Sequence, residues 1–160
     1  MPDDSKITLR PTEVEDLQLF FNFQLDEEGS YLAAFTPKDH TDKPAYLSRF
    51  TKLLSDPTIN MRTIVVDETI VGSIAKFEIQ GEPEITYWID RKAWGKGIAT
   101  AALKDFLTIE KARPILGRVA FDNIASQRVL EKCDFMRIGK DKGFANARRM
   151  EIEEFIYRLT

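Results

Sequence analysis

The sequence predicts a mixed α/β domain in the order β-α-α-β-β-β-α-β-α-β-β. Three observations carry that expectation. Apolar residues recur at helical spacing in four separate stretches, short β-branched runs lie around and between them, and Pro, Gly, Asn or Asp marks the junctions. At 160 residues the chain has the length of one domain, 1–160, and neither a repeat nor a low-complexity linker divides it.

ITLRP reads as a first strand closed by Pro11. With Thr12 as N-cap, Val14, Leu17, Phe20, Phe21 and Leu25 predict a helix ending near Gly29. GSYLAAFTPKDHTDKP reads as a loop with a short helical turn, and Tyr46, Leu47, Phe50, Leu53 and Leu54 mark a second amphipathic helix. MRTIVV and TIVGSIAKFEI, separated by Asp67-Glu68, predict a hairpin that EITYWI extends. A helix follows from near Gly97. Pro114 precedes the strand ILGRVAF, Asn123 opens a helix with Ile124, Val129 and Leu130, and DFMRIG and MEIEEFIYRLT close the sheet.

Composition excludes several function classes. Hydrophobic residues make up 43% and charged residues 31%, and no apolar run approaches the ~18 residues of a membrane span. MPDDSKITLR lacks a secretory apolar segment and Cys133 is the single cysteine, so a cytoplasmic protein without membrane contact is expected. Net charge is -3 with scattered basic residues, which argues against nucleic acid as a partner. His40 is the single histidine, in a Pro-flanked polar stretch, so a histidine-rich metal site or a catalytic triad lacks its residues and no metal is expected.

The most informative stretch is AWGKGIATAAL, from Ala93 to Leu103, after the strand EITYWID. Helix N-termini carry unpaired N–H groups and partial positive charge, so a strand-glycine-helix junction suits a phosphate. A P-loop is excluded, because Asp90 takes its first glycine position and Gly97 its Ser/Thr position. A dinucleotide fingerprint would place Thr100 at its third glycine, although Asp122 falls near the ribose-binding distance. A plain tight turn, with glycines chosen for backbone angle, is the remaining alternative.

Downstream, NIASQRVLEKCDF runs from Asn123 to Phe135 at a second strand-to-helix junction. Together, EITYWI, GKGIA and NxxSxxVLEKCxF resemble the GNAT superfamily of acetyl-CoA-dependent N-acetyltransferases, over nearly the whole chain. Trp94 and the Asn-x-x-Ser pair look most like the branch containing ribosomal-protein alanine N-acetyltransferases. The resemblance implies a GNAT-like fold with splayed central strands, acetyl-CoA as cosubstrate, an amine acceptor, and a monomer or homodimer. It implies that Gly95, Lys96, Gly97, Ile98 and Ala99 hold the CoA pyrophosphate, with Trp94 in the family's Gln/Arg position. It further implies a backbone oxyanion donor in the Trp88 and Ile89 segment.

For the remaining residues, alternatives stand side by side. Glu84 is either the base that deprotonates the amine, as at the corresponding place in relatives, or an exposed strand-start carboxylate beside Glu82. Ser126 either bonds the CoA sulfur or caps its own helix, and Asn123 either caps that helix or also touches pantetheine. In the family the loop between the first two helices borders the acceptor site; in this chain the resemblance places it at Glu27 to Thr41, with Tyr31 and Phe35 as candidate walls, and Asp26, Glu27 and Glu28 either attract a cationic amine or face solvent. Two departures from the family pattern stand out. Leu130 occupies the position of the tyrosine that protonates the departing thiol in many relatives, and Asp134 replaces a frequent glycine, which leaves the turn into the next strand strained or redrawn.

Overall fold

The computed structural model describes residues 6–160, so residues 1–5, which open both MPDDSKITLR and the single unit expected over 1–160, lie outside it. Strand β1 (Ile7–Pro11) pairs antiparallel with β2 (Asn60–Val66), β2 with β3 (Thr69–Ile79), and β3 with β4 (Glu82–Ile89). Asp67 and Glu68 turn β2 into β3 at φ values of 49° and 70°, so both turn residues have the positive φ that a tight two-residue hairpin turn requires. Strand β5 (Ile115–Ala120) runs parallel to β4, with β7 (Met150–Leu159) beside β5 and β6 (Met136–Ala145) at the edge. The sheet order is therefore β1-β2-β3-β4-β5-β7-β6, the mixed α/β architecture expected from the sequence.

The described residues include five α-helices: α1 (Leu17–Phe23), α2 (Glu27–Ala33), α3 (Lys43–Leu54), which packs on α1, α4 (Ile98–Ile109) and α5 (Ile124–Lys132). The expected first helix proves to be two. A 3₁₀ turn over Val14–Asp16 leads into α1, the chain breaks at Gln24, and Asp26 starts α2 by accepting the Gly29 amide at 3.0 Å. Gly29 thus lies inside a helix rather than at its end. Trp88 explains the glycine, since a Cβ there would come within 3.0 Å of its ring. Thr12 is not the cap either. Glu13 takes that position, and the Thr12 hydroxyl pairs with that of Thr63 at 2.9 Å.

The core lies mainly under α4 and α5. Ile98, Ala102, Leu103 and Phe106 of α4 pack with Leu130 of α5 against Ile64, Ile74, Ile85, Ile115 and Tyr157 of the sheet. Each large side chain buried this way contributes about 2 kcal/mol. A smaller cluster of Ala34, Ala120, Ala145 and Ile152 joins the end of α2 to the other face. Between the two layers, β4 and β5 are in register only at Glu84–Leu116 and Ile85–Gly117. Beyond Ile85 they part, which is the splay of central strands that the resemblance implied.

Candidate active site

The parting of β4 from β5 leaves backbone groups without a ladder partner. Asp90 donates its amide to Val71 of β3 at 2.7 Å, so antiparallel alternation turns the amides of Trp88 and Thr86 toward β3 as well. Those of Ile89 and Tyr87 point the other way, into the gap. Of the expected Trp88 and Ile89 pair, the second therefore offers its backbone N–H there. The Ile89 carbonyl is already taken, by the Trp94 indole N–H at 2.9 Å. Trp94 thereby ties the start of the glycine loop to the end of β4, with the Arg91 guanidinium 5.4 Å from its ring centroid.

The glycine loop follows. Gly95 and Gly97 have φ of 77° and 75°, in the left-handed region that side chains disfavour, and Gly97 is the N-cap of α4. Ala101 makes the first amide bond of that helix, back to Gly97 at 3.1 Å. Among the described residues, no acceptor is paired with the amides from Gly95 to Thr100. Gly95, Lys96 and Gly97 are exposed, Ala99 is half-buried and Ile98 is buried. A bare, positively polarised helix start with exposed glycines suits an anion.

The second junction lies across the gap. Asn123 caps α5, its Oδ1 accepting the Ser126 amide at 3.3 Å while its Nδ2 donates to the Leu32 carbonyl of α2. Ser126 does not cap with its hydroxyl, which pairs instead with Tyr87 Oη at 2.6 Å. Burial pushes the Tyr87 phenol up to about 12, so it stays protonated near neutrality. The sequence points to Tyr87 only weakly, through its place on the core-facing side of EITYWI. Leu130 fills space: it is buried, and a Cβ on Gly117 would come within 3.0 Å of it. Asp134, at φ 70°, ends α5 with its amide on Glu131 and the Phe135 amide on Leu130, a Schellman closure built on a residue other than glycine.

On the opposite sheet face Glu84 sits where the strands part, half-buried, with Arg118 Nε 3.3 Å from its Oε1. It is not a free surface carboxylate. Burial raises its pKa above the ordinary value of 4.5, and Arg118 offsets part of that rise. Glu154 of β7 lies 3.5 Å from Arg118 Nη1 and is raised by burial too.

Tyr31 and Phe35 flank the end of α2. Arg148, from the β6–β7 turn, stacks 3.9 Å from the Tyr31 ring centroid, donates to the Tyr31 carbonyl at 2.7 Å and grips Asp122 bidentately at 2.8 Å. Asp122 is therefore a structural ion-pair partner, not a ribose ligand. Between Tyr31 and Phe35, Ala34 has φ 66° and ψ -58°, and Phe35 donates to Ala33 at 2.7 Å, a γ-turn of the strained positive-φ kind. Phe35 packs on β6, where a Cβ on Gly143 would lie 3.3 Å from its ring. Asp26 and Glu28 both pair with Arg91, so two of the three acids expected near the acceptor are neutralised by the loop beside the glycines.

Two cavities lie away from this gap. One, of about 180 Å³, is bounded by Pro11, Leu54 and Met61, and the other, of about 80 Å³, by His40, Tyr46 and Phe50. Among the described residues no three His, Cys, Asp or Glu side chains gather as metal ligands, and no helix is long and apolar enough to cross a membrane.

Residues 6–136 match the family model of the acetyltransferase (GNAT) domain, and the chain belongs to that family. It is thus an acetyl-CoA-dependent N-acetyltransferase in class. An uncharacterized N-acetyltransferase p20 of Bacillus licheniformis is 25% identical over 164 residues, covering 96% of this chain and 92% of that protein. Among solved structures, a microcin C7 self-immunity acetyltransferase in complex with acetyl-CoA and AMP superposes with a TM-score of 0.81 at 17% identity, over 97% of this chain and 92% of that one. The ribosomal-protein-S5-alanine acetyltransferase of Vibrio fischeri gives 0.76 at 17% identity, over 96% and 92%. The spermidine N-acetyltransferase of Vibrio cholerae, in complex with CoA and spermine, gives 0.76 at 20% identity, over 95% of each chain.

Proposed function

We propose that this acetyltransferase acts on the α-amine of a peptide or protein N-terminus, with Glu84 as its general base. The observation that carries the reading is the run of unpaired amides from Gly95 to Thr100 at the mouth of a gap whose floor holds a half-buried carboxylate. In this reading the amides of Gly95, Lys96, Gly97, Ile98 and Ala99 take the CoA pyrophosphate, with the Lys96 ammonium adding charge. Asn123 and the Trp88–Ile89 strand border the pantetheine. Glu84 removes the proton of the amine, directly or through water, as nitrogen bonds to the thioester carbon. The Ile89 amide donates to the oxygen as it gains charge, and the Ser126 hydroxyl bonds the sulfur as the C–S bond breaks. A thiol of pKa near ~8.5 leaves readily, so a tyrosine at position 130 is dispensable.

The acceptor assignment draws on the likeness to the ribosomal-protein enzyme and on Tyr31 and Phe35, whose rings flank the acceptor side. A panel of alanine-initiated peptides, spermidine, amino sugars and free amino acids, assayed for thiol release from acetyl-CoA, tests it. Peptides should be the best acceptors. Preference for spermidine would instead assign a polyamine. Binding of acetyl-CoA with no thiol released from any amine would favour a regulatory CoA-binding module, for which the leucine at position 130 speaks.

A further inference from the structure

Arg10, Arg148 and Arg118 pair with carboxylates in contrasting ways. Arg10 grips Asp16 with two short bonds, of 2.7 and 2.8 Å, and Arg148 grips Asp122 with two of 2.8 Å. Arg118 is divided. Its Nε lies 3.3 Å from Glu84 on β4, and its Nη1 lies 3.5 Å from Glu154 on β7 and 3.8 Å from Asp141 on β6. Neither of its nearer contacts reaches the ~2.8 Å of a committed charge-assisted bond.

The register explains how one guanidinium serves two carboxylates. Glu84 lies opposite Leu116, Arg118 is two residues further along β5, and Glu154 lies opposite both Ala120 of β5 and Asp141 of β6. All four side chains therefore stand on one sheet face, across four adjacent strands. Arg118 belongs to the strand that is leaving β4, and it reaches back over the opening to the carboxylate at the floor.

We propose that Arg118 is a positioning residue shared between Glu84 and Glu154, so that the charge on Glu154 sets how strongly Arg118 holds Glu84 and when Glu84 takes up a proton. When Glu154 is ionised it competes for the guanidinium and repels Glu84; when it is neutral, Arg118 turns to Glu84 alone. Burial raises both carboxylates, which places them where such competition matters. The other charged groups facing the cluster are Asp141, which is largely exposed, and Glu82 at the start of β4. The inference rests on the reading of Glu84 as base for its catalytic meaning.

The test is a carbon-13 NMR titration of the Glu84 carboxyl in the full chain, assigned with Glu84→Gln, alongside the pH profile of thiol release with an alanine-initiated peptide. Glu154→Gln should lower the Glu84 midpoint by roughly half a pH unit or more, and Arg118→Gln should raise it by about one unit or more. Arg118→Lys retains the charge, guards against a folding failure, and should restore most of the wild-type midpoint. A Glu84 midpoint that stays fixed in both Glu154→Gln and Arg118→Gln, with the fold intact, overturns the coupling whether or not the peptide is acetylated. Midpoints that move while the acid limb of kcat/KM stays still support the coupling and remove Glu84 from the role of base.

Discussion

Tyr87 Oη and Ser126 Oγ lie 2.6 Å apart, joining β4 to the first turn of α5 across the gap. The Arg118–Glu84 ion pair makes a second tie between the diverging strands on the other sheet face.

Because Asn123 already caps α5, Ser126→Ala should leave the helix intact and cost only the bond to Tyr87. Tyr87→Phe and Ser126→Ala should each lower stability by about 1 kcal/mol in urea denaturation. The double variant should lose clearly less than the sum, since both remove one bond. Strict additivity would show that the pair contributes nothing to holding the arms together.

Acetyl-CoA at 100 times its Kd should stabilise the protein by about 2.7 kcal/mol, visible as a rise in Tm, and NAD or ATP should do much less. Gly97→Val forces a β-branched residue to φ 75° and should itself cost about 1–2 kcal/mol. Its rise in Tm with acetyl-CoA should also shrink. Gly95→Ala is the milder probe, since its Cβ meets nothing within 4 Å, and any loss of CoA affinity beyond the small backbone strain marks the approach of a ligand.

Glu84→Gln should reduce turnover by about 10²-fold or more with CoA affinity nearly unchanged, and the loss should shrink as pH rises and free amine becomes abundant. The same variant should be more stable than the wild type at neutral pH. A carboxyl whose folded pKa is raised above 4.5 holds its proton more tightly in the native state. That stability is fully present below the unfolded value and is lost as pH rises through the folded one, whereas glutamine loses nothing. Denaturation of both proteins at pH 4 and pH 7 checks the sign: the advantage of Glu84→Gln must grow toward pH 7.

Asp134→Gly should stabilise the protein by roughly 0.5–1 kcal/mol, because glycine adopts the left-handed closure of α5 without a Cβ conflict. Equal or lower stability would mean that the extra backbone entropy glycine gives the unfolded chain offsets the strain it relieves at this turn.

The sequence alone determined the strand and helix order from β2 onward, the Asp67-Glu68 hairpin, the Asn123 cap and the glycine loop before α4. These depend on periodicity and on residues whose backbone preferences act within a few positions. The break between α1 and α2 escaped it, because Leu25 continues the apolar spacing while the Asp26 cap and the packing of Trp88 on Gly29 decide the outcome. Strand β6 also ran longer than DFMRIG, since its alternating charges face solvent at an edge and β7 supplies its pairing. The site divides in the same way. The amides of the glycine loop were legible because a local turn exposes them. The partners of Glu84, Ser126 and Trp94 were not, because Arg118, Tyr87 and Ile89 meet those side chains through sheet register and strand divergence, which the tertiary fold alone fixes.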